Sequence, residues 1–376
     1  MRKGYMYMTT DPKQLVAGES IHGFTVESVT DVAEMRSAAI SLRHPASGAR
    51  VMHIANADTE NLFSISFATP PPDDTGLPHI LEHAVLAGSK RFPVKEPFFE
   101  MIRMSMATFI NAMTGPDRTY YPVSSNVRKD LFNLADVYFD AVFHPLLTES
   151  IFRREGHHLA PANPDEPTGA LTLNGIVYNE MKGAFSSPES RLYRAATRGL
   201  FPDTIYGRES GGDPDVIPEL TYDQFLAFHR TYYHPSNAFF IFYGDIETAA
   251  YLEFLAPRLE PFSSTPSAPA VKRQPRWTEP RLIEDAYPVG RNEPLEEKTY
   301  HAINWLAGDG ADAEDTVMLD ILEAILLGNE AAPLKKAIID SRLGADLVFS
   351  GAHSSGLEST FHVGIKGSEP DRRAAF

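Results

Sequence analysis

Thr75-Gly-Leu-Pro-His-Ile-Leu-Glu-His-Ala-Val-Leu-Ala-Gly88 is the stretch that decides how the chain reads. It predicts a helix: Pro78 suits the first turn, apolar residues fill the gaps between polar ones, and Gly88 can end it. Residues four apart on a helix lie about 40° apart in projection, so His79 and His83 present two imidazoles from one face. Glu82 falls between them in height and one step round that face, within reach of a water held at the same metal. Two imidazoles and a carboxylate at this spacing suit Zn²⁺, with the carboxylate as general base.

The order His-x-x-Glu-His inverts the commoner metal-binding helix motif. The plain alternative is a helix with two half-buried histidines and a solvated glutamate, so the rest of the chain must choose between the two. A zinc site of this kind needs a third protein ligand. Leu171-Thr-Leu-Asn-Gly-Ile-Val-Tyr-Asn-Glu-Met-Lys-Gly183 carries apolar residues at 173, 176, 177 and 181, a spacing that suits a helix and leaves Glu180 beside Asn179 and Lys182. Alone, Glu180 reads as a surface glutamate. As the third ligand closing a His₂Glu site it is the best candidate in the chain.

Composition narrows the partners. The 376 residues suggest two or three domains, and 43% hydrophobic with 22% charged residues is ordinary for a soluble globular protein. A formal charge of −16 argues against nucleic acid or an anionic membrane surface and is at most a weak hint of basic peptides. The chain has no cysteine, so any metal must be held by His, Asp or Glu. The opening Met1-Arg-Lys-Gly-Tyr-Met-Tyr-Met lacks the apolar core of a signal peptide, and no run approaches a membrane span. A cytoplasmic protein is expected, although a chain stripped of a targeting segment would look the same.

Around the motif the pattern is mixed. Short strands are predicted at 22–30, 37–42, 50–54 and 61–67, with Pro45-Ala-Ser-Gly48 as a hairpin turn. Lys95 to Met106 reads as helical, its methionines as core packing. Residues 108–125 read as two strands about a turn at Gly115-Pro116, and Asn111 there is either a turn former or a substrate-binding amide. Lys129 to Phe143 is an amphipathic core helix. The adjacent His157 and His158 point in different directions on any regular element and read as structural.

Helices are expected from Pro188 to Arg198, from an N-capping Thr221 onward, and from Ile246 to Leu259, with a buried strand at Ala238 to Gly244. Residues 261–294, thick with proline, read as an extended linker. Beyond it come a strand at 298–306, helices at 315–327 and 334–339, strands at 346–349 and 359–365, and a final helix start cut short.

Taken together, the chain resembles the N-terminal half of a pitrilysin/insulinase-type zinc metallopeptidase, most closely the presequence-protease branch. The residues that carry the resemblance are Gly76-Leu-Pro-His-Ile-Leu-Glu-His83, Lys95-Glu-Pro-Phe98 and Thr108-Phe-Ile-Asn-Ala-Met-Thr114 with Pro116-Asp117 and Tyr121-Pro122. Asn179-Glu-Met-Lys-Gly183, Tyr233-His-Pro-Ser-Asn237 and Gly244-Asp245 extend it over nearly the whole chain.

The resemblance implies that His79, His83 and Glu180 are zinc ligands, that Glu82 activates water, and that Asn111 and Ala112 lie in a strand pairing with an extended substrate. The spacing of 97 residues (180 − 83) resembles the presequence-protease branch. It implies an α+β fold of LuxS/MPP-like domains, each a mixed or antiparallel sheet packed with helices. Residues 1–262 would be the zinc-bearing domain, 263–295 the linker, and 296–376 the truncated start of a second domain.

The implied function is zinc-dependent hydrolysis of short or unfolded peptides in a clamshell chamber; the alternative is a non-catalytic peptide-binding or scaffold subunit. Expected partners are peptide substrates and a missing C-terminal half, which in the family supplies an Arg and a Tyr. The fragment alone is therefore expected to bind zinc with weak or no proteolysis.

Overall fold

The computed structural model describes residues 15–166, 168–265, 270–354 and 356–376. The opening Met1–Met8 stretch and prolines 266 and 269 of the expected linker lie outside them.

The chain begins with β1 (Ser20–Ile21), β2 (Phe24–Val32), β3 (Ser37–Arg43), β4 (Arg50–Ala55) and β5 (Asn61–Ala68). Pro45 to Gly48 makes the expected β3–β4 turn, closed by Gly48 N–H to the His44 carbonyl. Then follow α1 (Leu77–Val85), α2 (Pro97–Met104), β6 (Phe109–Ile110), β7 (Met113–Thr114), β8 (Arg118–Ser125), α3 (Arg128–Phe143) and α4 (Glu149–Glu155). β9 (His158–Pro161) pairs with β10 (Leu171–Asn174), and α5 (Ile176–Ala184), α6 (Pro188–Leu200), α7 (Tyr222–Tyr232), β11 (Ala238–Gly244) and α8 (Thr248–Leu259) come next. The last part holds β12 (Thr299–Asp309), α9 (Ala313–Leu327), α10 (Pro333–Ser341), β13 (Asp346–Ser354) and β14 (Glu358–Ser368), then a 3₁₀ turn at Pro370–Ala374.

The described residues fall into two compact units. The first draws on Met1–Thr69, Leu77–Gly175 and Glu219–Pro269. Its main sheet runs β1-β2-β3-β4-β11-β5-β8-β6, with β7 also on β8. β11 lies between β4 and β5, parallel to the first and antiparallel to the second, so the sheet is mixed as expected. Its sequence, Ala-Phe-Phe-Ile-Phe-Tyr-Gly, is apolar on both faces, which suits a central strand. α3 packs on β5 and β8 through Leu131, Leu134, Ala135, Tyr138, Phe139 and Val142, all buried. Phe242 of β11 stacks on Tyr251 of α8 with ring centroids 4.0 Å apart. α7 starts at the predicted N-cap, where Thr221 and Gln224 form a reciprocal capping box.

The second unit draws on Pro70–Gly76, Ile176–Pro218 and Ala270–Phe376. Its antiparallel sheet runs β12-β14-β13, with α6 and α9 against it. Residues 270–295 of the expected linker carry no helix or strand but are tied into this unit. Gln274 is buried, with its amide N–H bonded to Glu358 and its side chain to Asp203, and the Trp277 indole donates to the Leu200 carbonyl.

Two elements differ from the sequence expectation. Residues 171–174 are strand, paired with 158–161, and only from Ile176 does the helical spacing take hold. Residues 109–114 form two short strands rather than one, with Asn111 and Ala112 in the gap. The register on β8 is the same on both sides of that gap (Ile110 opposite Val123, Met113 opposite Tyr120), which sets Asn111 opposite Pro122. Proline has no N–H, so the ladder loses one of its two bonds there. The Asn111 N–H still donates to the Pro122 carbonyl at 3.2 Å. The Asn111 carbonyl accepts from the Tyr138 hydroxyl at 3.0 Å instead.

Candidate metal centre

α1 has nine residues and is enclosed on nearly every side. Ile80, Leu81, Ala84 and Val85 are fully buried, each large side chain contributing about 1.5–3 kcal/mol, and this anchors the helix against β7, β8, α4 and α7. That anchoring carries polar groups inside: His79 is 8% exposed and Glu82 7%. Polar side chains this deep are costly unless partnered, so their neighbours define what the site can do.

The His79 and His83 rings meet nearly at right angles, centroids 4.9 Å apart. His79 and His83 stand on α1 in the first unit and Glu180 on α5 in the second, each with a side chain able to ligate a metal ion. Two imidazole nitrogens and a carboxylate oxygen are a donor set that suits zinc, and the chain has no thiolate to compete.

Behind His83 stands a residue that sequence reasoning missed. His83 Nδ1 lies 3.5 Å from Glu155 Oε2, at the end of α4. Glu155 is itself 5% exposed and accepts from Arg154 Nε at 2.8 Å through its other oxygen. A carboxylate on one imidazole nitrogen sets the tautomer and turns the other nitrogen toward a metal. In the sequence Glu155 is one charged residue among several closing an amphipathic helix; nothing local separates it from a solvated one.

A threonine hydroxyl stands at Glu82. Thr114 Oγ1 donates to Glu82 Oε2 at 2.5 Å from β7. Three buried phenols lie close by: Tyr121, whose hydroxyl is 2.7 Å from that of Tyr233, and Tyr138, bonded to the Asn111 carbonyl. Burial pushes all three hydroxyls well above the usual tyrosine range, and the Glu82 charge adds to the shift.

The remaining expectations resolve plainly. Asn111 and Ala112 sit in the β6–β7 gap at the margin of the sheet. His157 bonds the Leu220 carbonyl through Nε2 and His158 the Arg153 carbonyl through Nδ1, so both are structural as read. Glu180 is exposed on α5.

The model of the insulinase family (peptidase family M16) matches residues 68–161, and that of the peptidase M16 inactive domain matches residues 219–375. The chain belongs to the M16 peptidase family. The first match contains His79, Glu82, His83, Asn111, Ala112, Thr114 and Glu155; Glu180 lies between the two matches. Among M16 relatives, presequence protease 1 (chloroplastic/mitochondrial) of Arabidopsis thaliana is 43% identical over 350 residues, 92% of this chain and 32% of its own length. The mitochondrial presequence protease of Mus musculus is 42% identical over 359 residues, 94% of this chain and 34% of its own. The chain therefore spans about a third of the length of the curated relatives it matches.

Solved structures share the α+β fold. Pitrilysin superposes with a TM-score of 0.62 at 17% identity, covering 94% of this chain and 36% of its own. A protease from Helicobacter pylori does so with 0.64 at 18%, covering 88% and 75%. No helix among the described residues is long and apolar enough to cross a membrane.

Proposed function

We propose that this chain is the zinc-bearing part of an endopeptidase that hydrolyses short or unfolded peptides. The observation that carries the reading is the pair of adjacent imidazoles of His79 and His83 on α1, with Glu82 buried on the same helix. His79, His83 and Glu180 are the three protein ligands. Zinc bound there would polarise the scissile carbonyl and lower the pKa of a water. Glu82 takes the proton from that water and delivers it to the leaving amine. At the sheet margin Ala112 offers backbone groups to an extended peptide, and Asn111, whose own backbone is held by Pro122 and Tyr138, offers its side-chain amide; backbone addition of this kind gives affinity without demanding sequence.

The activity belongs to a longer protein, as the length of the relatives suggests, with residues 1–262 as the catalytic domain, 263–295 as linker and 296–376 opening a second domain. Its partners are then peptides and the rest of that protein. A cytoplasmic location is proposed from sequence, and the relatives' names set mitochondria and chloroplasts against it.

Glu82→Gln tests the reading in the whole protein. Cleavage of an unfolded peptide should fall by about 100-fold or more while bound zinc stays at the wild-type level. Undiminished cleavage by the variant would contradict it.

A further inference from the structure

The bond from Thr114 to Glu82 does more than satisfy a buried carboxylate. Glu82 comes from α1, whereas Thr114 belongs to β7, three residues after Asn111. That short segment is pinned at both ends. At one end the Asn111 carbonyl is held by Tyr138 and its N–H by the Pro122 carbonyl. At the other, Thr114 pairs with Thr119 on β8 while its hydroxyl reaches Glu82 Oε2 at 2.5 Å. The strand margin offered to a peptide and the carboxylate offered to a water thus share one rigid connection about three residues long.

We propose that Thr114 is a positioning residue for Glu82, fixing the plane of its carboxylate through Oε2 and tying that orientation to the Asn111–Ala112 backbone. This rests on the reading of Glu82 as general base. A hydroxyl donating to an ionised carboxylate makes a short, directional bond, and a carboxylate so held cannot swing about its last torsion. Proton transfer depends on such alignment, so loss of the bond acts on turnover more than on peptide affinity.

The test uses Thr114→Val, Thr114→Ser and Glu82→Gln in the whole protein. Thr114→Val keeps the shape and removes the donor; it should lower kcat by about tenfold, the worth of one such bond, with KM and bound zinc within about twofold of wild type. Thr114→Ser restores the hydroxyl and should bring kcat back to within about threefold. In metal-free protein, the fall in melting temperature for Thr114→Val and Glu82→Ala combined should be smaller than the sum of the two single falls, because each removes the same bond.

An unchanged kcat in Thr114→Val, beside an inactive Glu82→Gln, would overturn the proposal and leave the base assignment standing. Equal losses in Thr114→Val and Thr114→Ser, or additive melting shifts, would show that packing rather than the hydroxyl matters and would also overturn it. An active Glu82→Gln would overturn the base assignment itself, and with it this role.

Discussion

Glu155 shows how a residue 72 positions along the chain (155 − 83) enters the site. The carboxylate lies 3.5 Å from His83 Nδ1 and is held from behind by Arg154, which in turn reaches Glu96 at 3.3 Å. Glu155→Gln keeps the volume and removes the charge. Zinc affinity, read by competition with a chelator, should fall roughly 10–100-fold, the usual cost of losing a carboxylate behind a metal-binding histidine. An affinity within twofold of wild type would show that Glu155 serves only the packing of α4 on α1. At this scale the two histidines and Glu82 were legible, because a helix fixes spacing and the motif is contiguous. Glu155 and Thr114 were not, because their roles arise only when α4 and β7 are folded against α1.

The β6–β7 segment makes the same point one level up. Its apolar, β-prone composition announced a strand near Asn111, and a strand margin is what the structure has. The break at Asn111–Ala112 follows from the partner strand, where Pro122 cannot donate, and a single stretch of sequence does not say which residue will stand opposite. Tyr138 repairs the lost bond from α3. Tyr138→Phe should therefore cost about 1 kcal/mol of unfolding free energy in urea titration, since it leaves the Asn111 carbonyl without its donor. Equal stability of the variant would mean that water replaces the phenol fully. A similar long-range pairing explains residues 171–174: helical spacing ran through them, but the partner at 158–161 made them strand.

For the molecule as a whole, order and type of most elements were legible, because apolar periodicity and turn residues agree there; α4, β9 and β10 were not read from the sequence. What periodicity left open was which segments gather into which unit: residues 176–218 group with 270–376, although the sequence between 1 and 262 carries no marked boundary. Nor does an apolar helix say what covers it: α9 has no buried residue, and Val317, Met318, Ile321, Leu322 and Ile325 are each 42–59% exposed. The central claim, however, is chemical: His79, His83 and Glu180 hold one zinc ion. Its most direct test is the zinc content of the purified protein by elemental analysis, wild type against Glu180→Ala. Close to one zinc per chain in the wild type, much reduced in the variant, is the expected result. Wild-type zinc content in Glu180→Ala, or none in the wild type after zinc is supplied, would contradict it.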